Sequence, residues 1–326
     1  QKVKEDIRFW ASPWTPPTWM KTTPCNPNTG RPSNSMFDGC VMKGDDTTLK
    51  AFALYLVKWI QAYEELGIKI QTVAPQNEPN YEQNYPSCHW NTADYPKFIG
   101  SYLGPALESA GLTTKVMNGT LSNAGGGDAD IGSAVLRDAT AKKYLNAIGV
   151  QWGMAEAGRV STLKGLAGGI PIWISETQCG GNMNTTAPAP NDFGYAQNTW
   201  GQITSAIKAG ITAYNAWNMV LDKVGMGNDD SRNWPQNAVL VADGGKITQT
   251  PAYFVYRHFS QFVQVGAKVL GTNGGDAVAF KNPDESYVVV MFNNGSANAK
   301  YTVSVAGKSL QFSMPSKGWA TLRYSK

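Results

Sequence analysis

Charge is scarce in this chain and is nowhere concentrated. Of its 326 residues only 16% are charged, the net charge is +4, and no block of five or six like charges occurs. A basic stripe or tail is the usual mark of a nucleic-acid-binding protein, so the sequence argues against that class. No run of 18 apolar residues occurs, so no membrane-spanning segment is predicted. The hydrophobic content of 42% instead predicts a packed globular core.

The common nucleotide and metal motifs are also missing. No GxGxxG follows a strand-like run and no GxxxxGK[ST] occurs, so a nucleotide-binding fold is not indicated. The two histidines, His89 and His258, form no HxxxH pair and belong to no His/Asp cluster in the sequence. Metal sites are usually recognisable from such a cluster. We therefore predict neither a metal site nor a cofactor.

Two short segments carry most of the functional information. Residues 73–79 (VAPQNEP) and 171–177 (PIWISET) are apolar, strand-like runs that end in a glutamate, Glu78 in the first and Glu176 in the second. Retaining glycoside hydrolysis on a barrel scaffold requires two carboxylates at the C-terminal ends of separate strands. The alternatives are a surface turn for Glu78 and the cap of the next helix for Glu176.

The flanking residues favour a distinct role for each glutamate. Asn77 can hydrogen-bond a substrate hydroxyl beside the scissile bond, and Pro79 biases Glu78 toward an extended backbone. Glu78 is predicted to be the general acid/base, with a pKa raised by burial and by a second carboxylate. Glu176 is predicted to be the ionised nucleophile. This assignment predicts carboxyl groups about 5–5.5 Å apart and retention of anomeric configuration.

Strand-like and helix-like runs alternate along the first two thirds of the chain. This alternation predicts a parallel α/β sheet, and the polar residues at the strand ends favour a (β/α)8 TIM-type barrel over a doubly wound sheet. From about residue 264, short alternating runs separated by turns predict a β-sandwich side domain. We therefore predict a barrel domain over 1–262 and a sandwich over 263–326. The predicted barrel strands are 7–11, 68–75, 115–118, 148–152, 170–175 and 213–218, and the predicted helices are 47–66, 94–110, 131–143, 159–166 and 192–209.

The chain has four cysteines and no CxxC motif. An even number of cysteines in loop-like segments is typical of two disulfides in a secreted protein, extracellular or periplasmic. Cys25 and Cys40 bracket one loop and are expected to pair. Cys88 and Cys179 follow the two glutamates and could pair if both glutamates lie on one face. The alternative is four reduced thiols.

Aromatic residues are abundant, with 11 Trp and 14 Tyr, and many lie in loop-like segments. Sugars present flat C–H faces that stack on aromatic rings, while their hydroxyls need polar neighbours. Trp14, Trp19, Trp152 and Trp217 are therefore candidate substrate-binding residues. The alternative is that each is simply a large core residue.

Five segments together resemble glycoside hydrolase family 30, and the resemblance extends over essentially the whole chain. It implies a (β/α)8 barrel with a β-sandwich that hydrolyses β-linked sugars with retention. It also implies Glu78 as acid/base, Glu176 as nucleophile, Asn77 at the sugar 2-hydroxyl, and Trp14 and Trp217 as walls of the sugar site. The segments are residues 12–21 (SPWTPPTWMK), 76–79 (QNEP), 175–177 (SET), 216–218 (AWN) and 251–262 (PAYFVYRHFSQF).

The branch within the family is indicated by a departure from its common pattern. Gln151 and Trp152, both candidate substrate-binding residues, stand where many members carry His followed two positions later by Tyr. With residues 86–90 (PSCHW) and 176–180 (ETQCG), this resembles the endo-β-1,6-glucanase branch. β-Xylanase, β-xylosidase and exo-β-glucosidase activity remain alternatives. A different class, a catalytically inactive glycan-binding protein, is a further alternative.

The resemblance also implies that something is needed beside the first strand. In this family the SPWxPP segment follows the third barrel strand, whereas here it begins at residue 12. The first two βα units are therefore not recognisable ahead of it. An uncovered parallel edge would expose unpaired backbone and apolar side chains. We expect a second chain or segment to cover that edge, alongside the β-glycan that is the expected ligand.

Overall fold

The computed structural model describes residues 7–22, 36–37, 39–83, 85–123, 127–177, 186–226, 234–274 and 276–325. The chain divides into two compact units: residues 1–177 with 209–216 make up the first, and residues 178–208 with 217–326 make up the second. The predicted boundary between residues 262 and 263 stays a prediction. No helix in the described ranges is both long and apolar enough to cross a bilayer.

Strands and helices alternate through the N-terminal part of the chain, as the pattern predicts. In chain order the elements are β1 (Phe9–Ala11), a 3-10 turn (Thr18–Met20), β2 (Lys21–Thr22), β3 (Val41–Met42), α1 (Asp46–Glu65), β4 (Ile70–Val73), α2 (Asp94–Lys97), a π-helical stretch (Phe98–Leu103), α3 (Gly104–Ser109), β5 (Lys115–Leu121), α4 (Gly127–Arg137), α5 (Ala139–Lys142), β6 (Leu145–Gln151), a 3-10 turn (Trp152–Ala155), α6 (Ala157–Ala167) and β7 (Ile172–Thr177).

The C-terminal part contains two longer helices and many short strands. Its elements are α7 (Phe193–Ala209), β8 (Ala213–Ala216), β9 (Val220–Asp222), β10 (Leu240–Asp243), β11 (Lys246–Gln249), α8 (Pro251–Ser260), β12 (Lys268–Leu270), β13 (Ala277–Lys281), β14 (Tyr287–Phe292), β15 (Ala299–Val305), β16 (Lys308–Met314) and β17 (Trp319–Tyr324).

The first unit is built on a six-stranded parallel sheet in the order β1-β4-β5-β6-β7-β8. This confirms the α/β class and the six predicted barrel strands, although their bounds differ by up to three residues. β6 begins at Leu145 and not at residue 148. β5 continues to Leu121 and does not end at Asn118. The backbone passes through a bulge there, because the pairing of β5 with β6 shifts register and Gly119 adopts a φ of 117°. A residue with a Cβ rarely adopts that conformation.

The inner face of this sheet carries a small apolar core. Ala74, Met117 and Ala147 are fully buried, and Trp10 and Trp173 pack against them. Trp10 also reaches from the first strand toward the last, since its Nε1–H donates to Asn215 Oδ1 at 3.4 Å. Contact between side chains of the two outermost strands requires a strongly curved sheet, as a barrel has.

Helix α1 shows how the sequence specifies the outer layer. Asp45 caps its N-terminus by accepting a hydrogen bond from the backbone N–H of Thr48 at 2.9 Å. Leu49, Phe52 and Ile60 recur at helical spacing and are fully buried. The prediction of a helix over 47–66 is therefore confirmed to within one residue at each end.

The second unit contains the predicted β-sandwich. Four antiparallel strands pair in the order β12-β13-β14-β17, and β15 pairs with β16 in a separate two-stranded sheet. Buried residues of both sheets, among them Ala279, Val289 and Met314, form one core. The alternating runs that predict this domain are all strands in the structure. A third sheet, in the order β11-β10-β9, also belongs to this unit.

The structure contradicts one of the predicted disulfides. Cys88 is a free and fully buried thiol, so its expected pairing with Cys179 is wrong. The loop turns the Cys88 side chain into the core, and the pKa of the thiol is raised to about 12 by burial. Cys40 is also fully buried. Cys25 and Cys179 lie outside the described residues, so the Cys25–Cys40 disulfide stays a prediction.

A buried lysine anchors the segment that follows β1. The side chain of Lys21 is 1% exposed. Its ammonium donates to Thr15 Oγ1 at 3.0 Å, to the Met36 carbonyl at 3.2 Å and to the Ser87 carbonyl at 2.7 Å. These acceptors belong to three separate parts of the chain. Lys21 therefore ties the SPWxPP segment to the loop that leads into Cys88.

Replacing Lys21 with methionine is expected to destabilise the protein by about 2–4 kcal/mol, because three acceptors, among them the buried Ser87 carbonyl, would lose their donor. Urea unfolding followed by circular dichroism measures the change. Lys43→Met is the matched control, since Lys43 makes a single exposed hydrogen bond to the Trp19 carbonyl. We expect the control to change stability by no more than about 0.5 kcal/mol. Equal losses in the two variants would contradict an anchoring role for Lys21.

Candidate active site

Glu78 lies just beyond the C-terminal end of β4, where the chain still pairs with β5. Asn77 forms an isolated parallel bridge with Thr120, and the backbone N–H of Glu78 donates to the Thr120 carbonyl at 3.1 Å. The backbone of Glu78 is left-handed, with a φ of 45°. The extended conformation predicted from Pro79 is therefore wrong. A non-glycine residue in this region is strained, and such strain is concentrated at functional sites.

The carboxyl group of Glu78 is buried and held by several donors. Gln151 Nε2 donates to Oε1 at 3.1 Å, Gln83 Nε2 donates to Oε2 at 3.3 Å, and the Tyr85 hydroxyl donates to Oε2 at 3.4 Å. Burial raises the pKa of Glu78, and the nearby Asp128 carboxylate raises it further, while the hydrogen bonds to the carboxyl lower it. The raised pKa matches the property expected of a general acid.

Glu176 occupies the corresponding position on β7. It pairs in register with Gln151 at the end of β6, and the neighbouring Trp152 and Gln151 side chains lower the pKa of its carboxyl. Burial raises the pKa of Glu176 to about 8, and repulsion from Glu78 is the second cause. The ionised nucleophile predicted at this position is therefore held in an environment that favours a proton. The titrations of the two carboxyl groups are linked, because the charge of Glu78 raises the pKa of Glu176.

Gln151 lies at the end of β6, beside both glutamates. Its side chain is fully buried and donates to Glu78 Oε1 at 3.1 Å, and its backbone pairs in register with Glu176. The Ser175 hydroxyl donates to Gln151 Oε1 at 2.9 Å, which fixes the orientation of the amide. A primary amide does not titrate near neutral pH, so this donor is available to Glu78 in either protonation state.

Asn77 is also held in a defined orientation. Its side chain is 5% exposed, and the Thr120 hydroxyl donates to Asn77 Oδ1 at 2.6 Å. Because the oxygen accepts from Thr120, the NH2 group is the end of the amide that can reach a sugar hydroxyl. This geometry agrees with the role that the sequence predicts, which stays a prediction.

The predicted aromatic residues fall in different places. Trp152 lies at the site, because it follows Gln151 at the end of β6 and lowers the pKa of Glu176. Trp14 and Trp19 lie on the segment after β1 and are 42% and 58% exposed, so their faces are open to a ligand. Trp217 follows β8, belongs to the second unit, and meets Trp234 edge to face at 5.9 Å. Their binding to substrate stays a prediction.

The structure adds residues that the sequence analysis missed. Gln83 and Tyr85 hydrogen-bond Glu78, Asp128 raises the pKa of Glu78, and Ser122 lowers it. Each stands in a loop or at a helix start, where such residues are common for local reasons. Ser175 offers a weak signal, since it precedes Glu176 on the same strand. Within the described residues, no three His, Cys, Asp or Glu side chains are arranged to hold a metal ion.

Two protein-family models match the chain. The model described as "Glycosyl hydrolase family 30 TIM-barrel domain" matches residues 1–263. The model described as "Glycosyl hydrolase family 30 beta sandwich domain" matches residues 263–322. Together the two models account for nearly the whole chain, and both parts of the fold described above have their counterpart in this family.

Individual glycoside-cleaving enzymes are also similar in sequence to this chain. Endo-1,6-beta-D-glucanase BGN16.3 of Trichoderma harzianum is 28% identical over 304 residues, which cover 89% of this chain and 59% of that protein. Lysosomal acid glucosylceramidase of Mus musculus is 27% identical over 318 residues, which cover 91% of this chain and 58% of that protein. The chain thus spans about three fifths of the length of these relatives.

Solved structures share the fold. One described as the endo-beta1,6-glucanase BT3312 matches with a TM-score of 0.82, at 23% sequence identity. The match covers 98% of this chain and 72% of that chain. The parallel α/β sheet and the β-sandwich of the present chain therefore have counterparts in a solved structure of the same fold.

Proposed function

The chain belongs to glycosyl hydrolase family 30, and on that premise we propose that it cleaves β-linked polysaccharide, preferably endo-β-1,6-glucan, with retention of anomeric configuration. One observation carries the proposal. Gln151 at the end of β6 donates to the buried Glu78 and pairs in register with Glu176 on β7, and burial together with the charge of Glu78 raises the pKa of Glu176. A pair of carboxyl groups that hold a shared proton is what double displacement requires.

In the proposed first step, the Glu176 carboxylate attacks the anomeric carbon. The bond from that carbon to the leaving oxygen breaks, and Glu78 gives its proton to that oxygen. In the second step, the Glu78 carboxylate takes a proton from water while the water oxygen displaces Glu176 from the sugar. Two inversions give net retention, and this chemistry calls for carboxyl groups about 5–5.5 Å apart.

The reaction needs one proton within the pair. A doubly ionised pair lacks the acid, and a doubly protonated pair lacks the nucleophile. The raised pKa values of both groups favour a singly protonated pair near neutral pH. Gln83, Tyr85 and Gln151 donate to the Glu78 carboxyl and hold it in place, while Asn77 is available to bind the sugar 2-hydroxyl.

The preference for β-1,6-glucan as substrate is supported by similar proteins and by Gln151. Two similar proteins, from Trichoderma harzianum and Aspergillus fumigatus, are named endo-1,6-beta-D-glucanases. Gln151 at the end of β6 is the departure that links the sequence to that branch. The similarity to a lysosomal acid glucosylceramidase supports exo-β-glucosidase action as the second candidate. β-Xylanase and β-xylosidase activity are weaker alternatives.

The proposal also includes the location of the enzyme. We propose that it acts outside the cell or in the periplasm, where polymeric glycans are met and where disulfides persist. The side chains of Ile7 and Phe9 at the β1 edge are 43% and 42% exposed. This exposure supports the expectation that a second chain or segment covers that edge.

The decisive experiment is hydrolysis of the β-1,6-glucan pustulan, with xylan, laminarin and aryl glycosides assayed in parallel. We expect oligosaccharides from pustulan, and we expect proton NMR of the first products to show the β anomer. Initial α anomer would exclude double displacement. Binding of a β-glycan without release of any sugar would instead support the inactive glycan-binding alternative.

A further inference from the structure

The loop that follows Glu78 turns back and contacts the Glu78 carboxyl group through two side chains. Gln83 Nε2 and the Tyr85 hydroxyl both donate to Glu78 Oε2, at 3.3 Å and 3.4 Å. Gln151 donates to the other oxygen, Oε1, at 3.1 Å. The carboxyl group is therefore held from two directions, Oε1 by the end of β6 and Oε2 by the loop. Donors of this kind favour the carboxylate over the protonated acid.

The Glu78 loop, residues 79–83 and 85–90, is hydrogen-bonded at its ends and along β3. The backbone N–H of Trp90 donates to the Pro79 carbonyl at 2.7 Å, which closes the loop. The backbone N–H of His89 donates to the Cys40 carbonyl at 2.7 Å, directly before β3. The segment that carries the two donors is therefore fixed against the rest of the first unit.

Ser87 fixes the backbone of Gln83 within this loop. Ser87 is 4% exposed. Its Oγ accepts from the backbone N–H of Gln83 at 3.1 Å and from the backbone N–H of Gly39 at 2.8 Å. The same hydroxyl donates to the Gln83 carbonyl at 3.2 Å. Both backbone polar groups of Gln83 are thus held by one buried hydroxyl, which uses its single proton and both of its lone pairs.

We propose that Gln83 and Tyr85 are positioning residues for Glu78, which hold its Oε2 and stabilise the carboxylate that acts as the base in the second step. Ser87 has the further role of positioning Gln83. The inference rests on the proposed function for its catalytic meaning, while the hydrogen bonds to Glu78 are independent of activity. The carboxylate exists only after the first step has transferred the proton, so the donors matter most for the second step.

The titration of Glu78 tests the proposal by its direction. Gln83→Met keeps the length of the side chain but cannot donate, so it should raise the titration midpoint of Glu78 by about 0.5–1 unit. A variant that merely loosened the loop and let water reach Glu78 would lower the midpoint, because burial is the largest cause of its raised pKa. Carbon-13 NMR of protein labelled at the glutamate carboxyl carbons measures the midpoint, with the Glu78 signal assigned by its loss in Glu78→Gln.

The titratable groups around Glu78 stay the same in this comparison. Neither Gln83→Met nor Ser87→Ala alters any of them, so a shift of the midpoint reports the lost donor. Within the described residues, these groups are Glu176 on β7, Asp128 at the start of α4, and Tyr85, Glu82 and His89 of the loop itself.

Ser87 should act on Glu78 through Gln83 alone. Ser87→Ala should raise the midpoint in the wild-type chain and should leave it unchanged in the Gln83→Met chain. Gln197→Met is the matched control, since Gln197 on α7 donates an exposed hydrogen bond to Asn294 Oδ1, and its midpoint for Glu78 should equal that of wild type.

Two outcomes of the titrations would overturn these roles. An unchanged or lowered midpoint in Gln83→Met would contradict the positioning of Glu78. Additive shifts in the double variant would contradict the role of Ser87. Should Ser87→Ala not fold, the shifts in Gln83→Met and Tyr85→Phe, both expected upward, decide the proposal.

Activity gives a second readout, which separates positioning from a structural defect. With a dinitrophenyl β-gentiobioside, whose leaving group needs no proton, the second step limits kcat. Gln83→Met should lower kcat about three- to tenfold at pH 5, because less of Glu78 is ionised, and should leave kcat/KM within about twofold of wild type. Equal losses in kcat and kcat/KM would contradict the proposal. If wild type cleaves nothing while the upward NMR shifts are seen, the proposed function fails and the positioning of Glu78 stands.

Discussion

Glu176→Ala is expected to lower kcat for pustulan by at least about 10⁵-fold, because the variant lacks the nucleophile that forms the glycosyl-enzyme. Initial-rate assays on protein of unchanged melting temperature measure the loss. Glu156→Ala is the matched control. Glu156 follows the 3-10 turn after β6 and is exposed, so its removal should leave kcat within about twofold of wild type.

Azide can identify the role of Glu176 more sharply than the loss of rate. Azide should enter the space that the alanine leaves, and with dinitrophenyl β-gentiobioside it should attack the anomeric carbon directly. The carbon–nitrogen bond forms as dinitrophenolate departs from the opposite face, so the product is an α-glycosyl azide. A β-glycosyl azide would show that Glu176 is the acid/base and Glu78 the nucleophile. The azide experiment matters because the pKa of Glu176 is raised to about 8, which is expected of a general acid rather than of an ionised nucleophile.

Much of the site follows from strand periodicity. Apolar runs that end at Glu78 and Glu176 predict buried parallel strands, and parallel strands present their C-terminal ends on one edge. The meeting of the two carboxyl groups was therefore predictable once both runs were recognised as strands. Gln151 was identified from its departure from the family pattern, but its hydrogen bond to Glu78 depends on side-chain directions that no pattern encodes.

The features that were not predicted arise from loops. The left-handed backbone of Glu78 reverses the expectation from Pro79, because the hydrogen bond from the Glu78 N–H to the Thr120 carbonyl holds the chain against β5. Gln83 has the sequence context of an ordinary polar loop residue. Its hydrogen bond to Glu78 forms only when the Glu78 loop is held against the segment before β3, and this is a tertiary contact without a local signal.

Glu78→Ala should behave differently from the Glu176 variants, since it removes the acid and the base but leaves the nucleophile. We expect kcat/KM for pustulan to fall by about 10²–10⁴-fold. For dinitrophenyl β-gentiobioside, kcat/KM should stay near the wild-type value, because dinitrophenolate leaves without a proton. Glu82→Ala, four residues further along the same loop, is the matched control. Equal losses on both substrates would exclude Glu78 as the acid.

The pH dependence and azide complete the test of Glu78. In wild type, kcat/KM for pustulan should fall above about pH 8, where the pair loses its last proton. Glu78→Ala should lose this alkaline limb on the dinitrophenyl substrate, since that reaction needs no acid. Added azide should attack the glycosyl–Glu176 ester, form a carbon–nitrogen bond and release the Glu176 carboxylate. Two inversions then give a β-glycosyl azide, the opposite anomer to that expected from Glu176→Ala, so the two products together assign both roles.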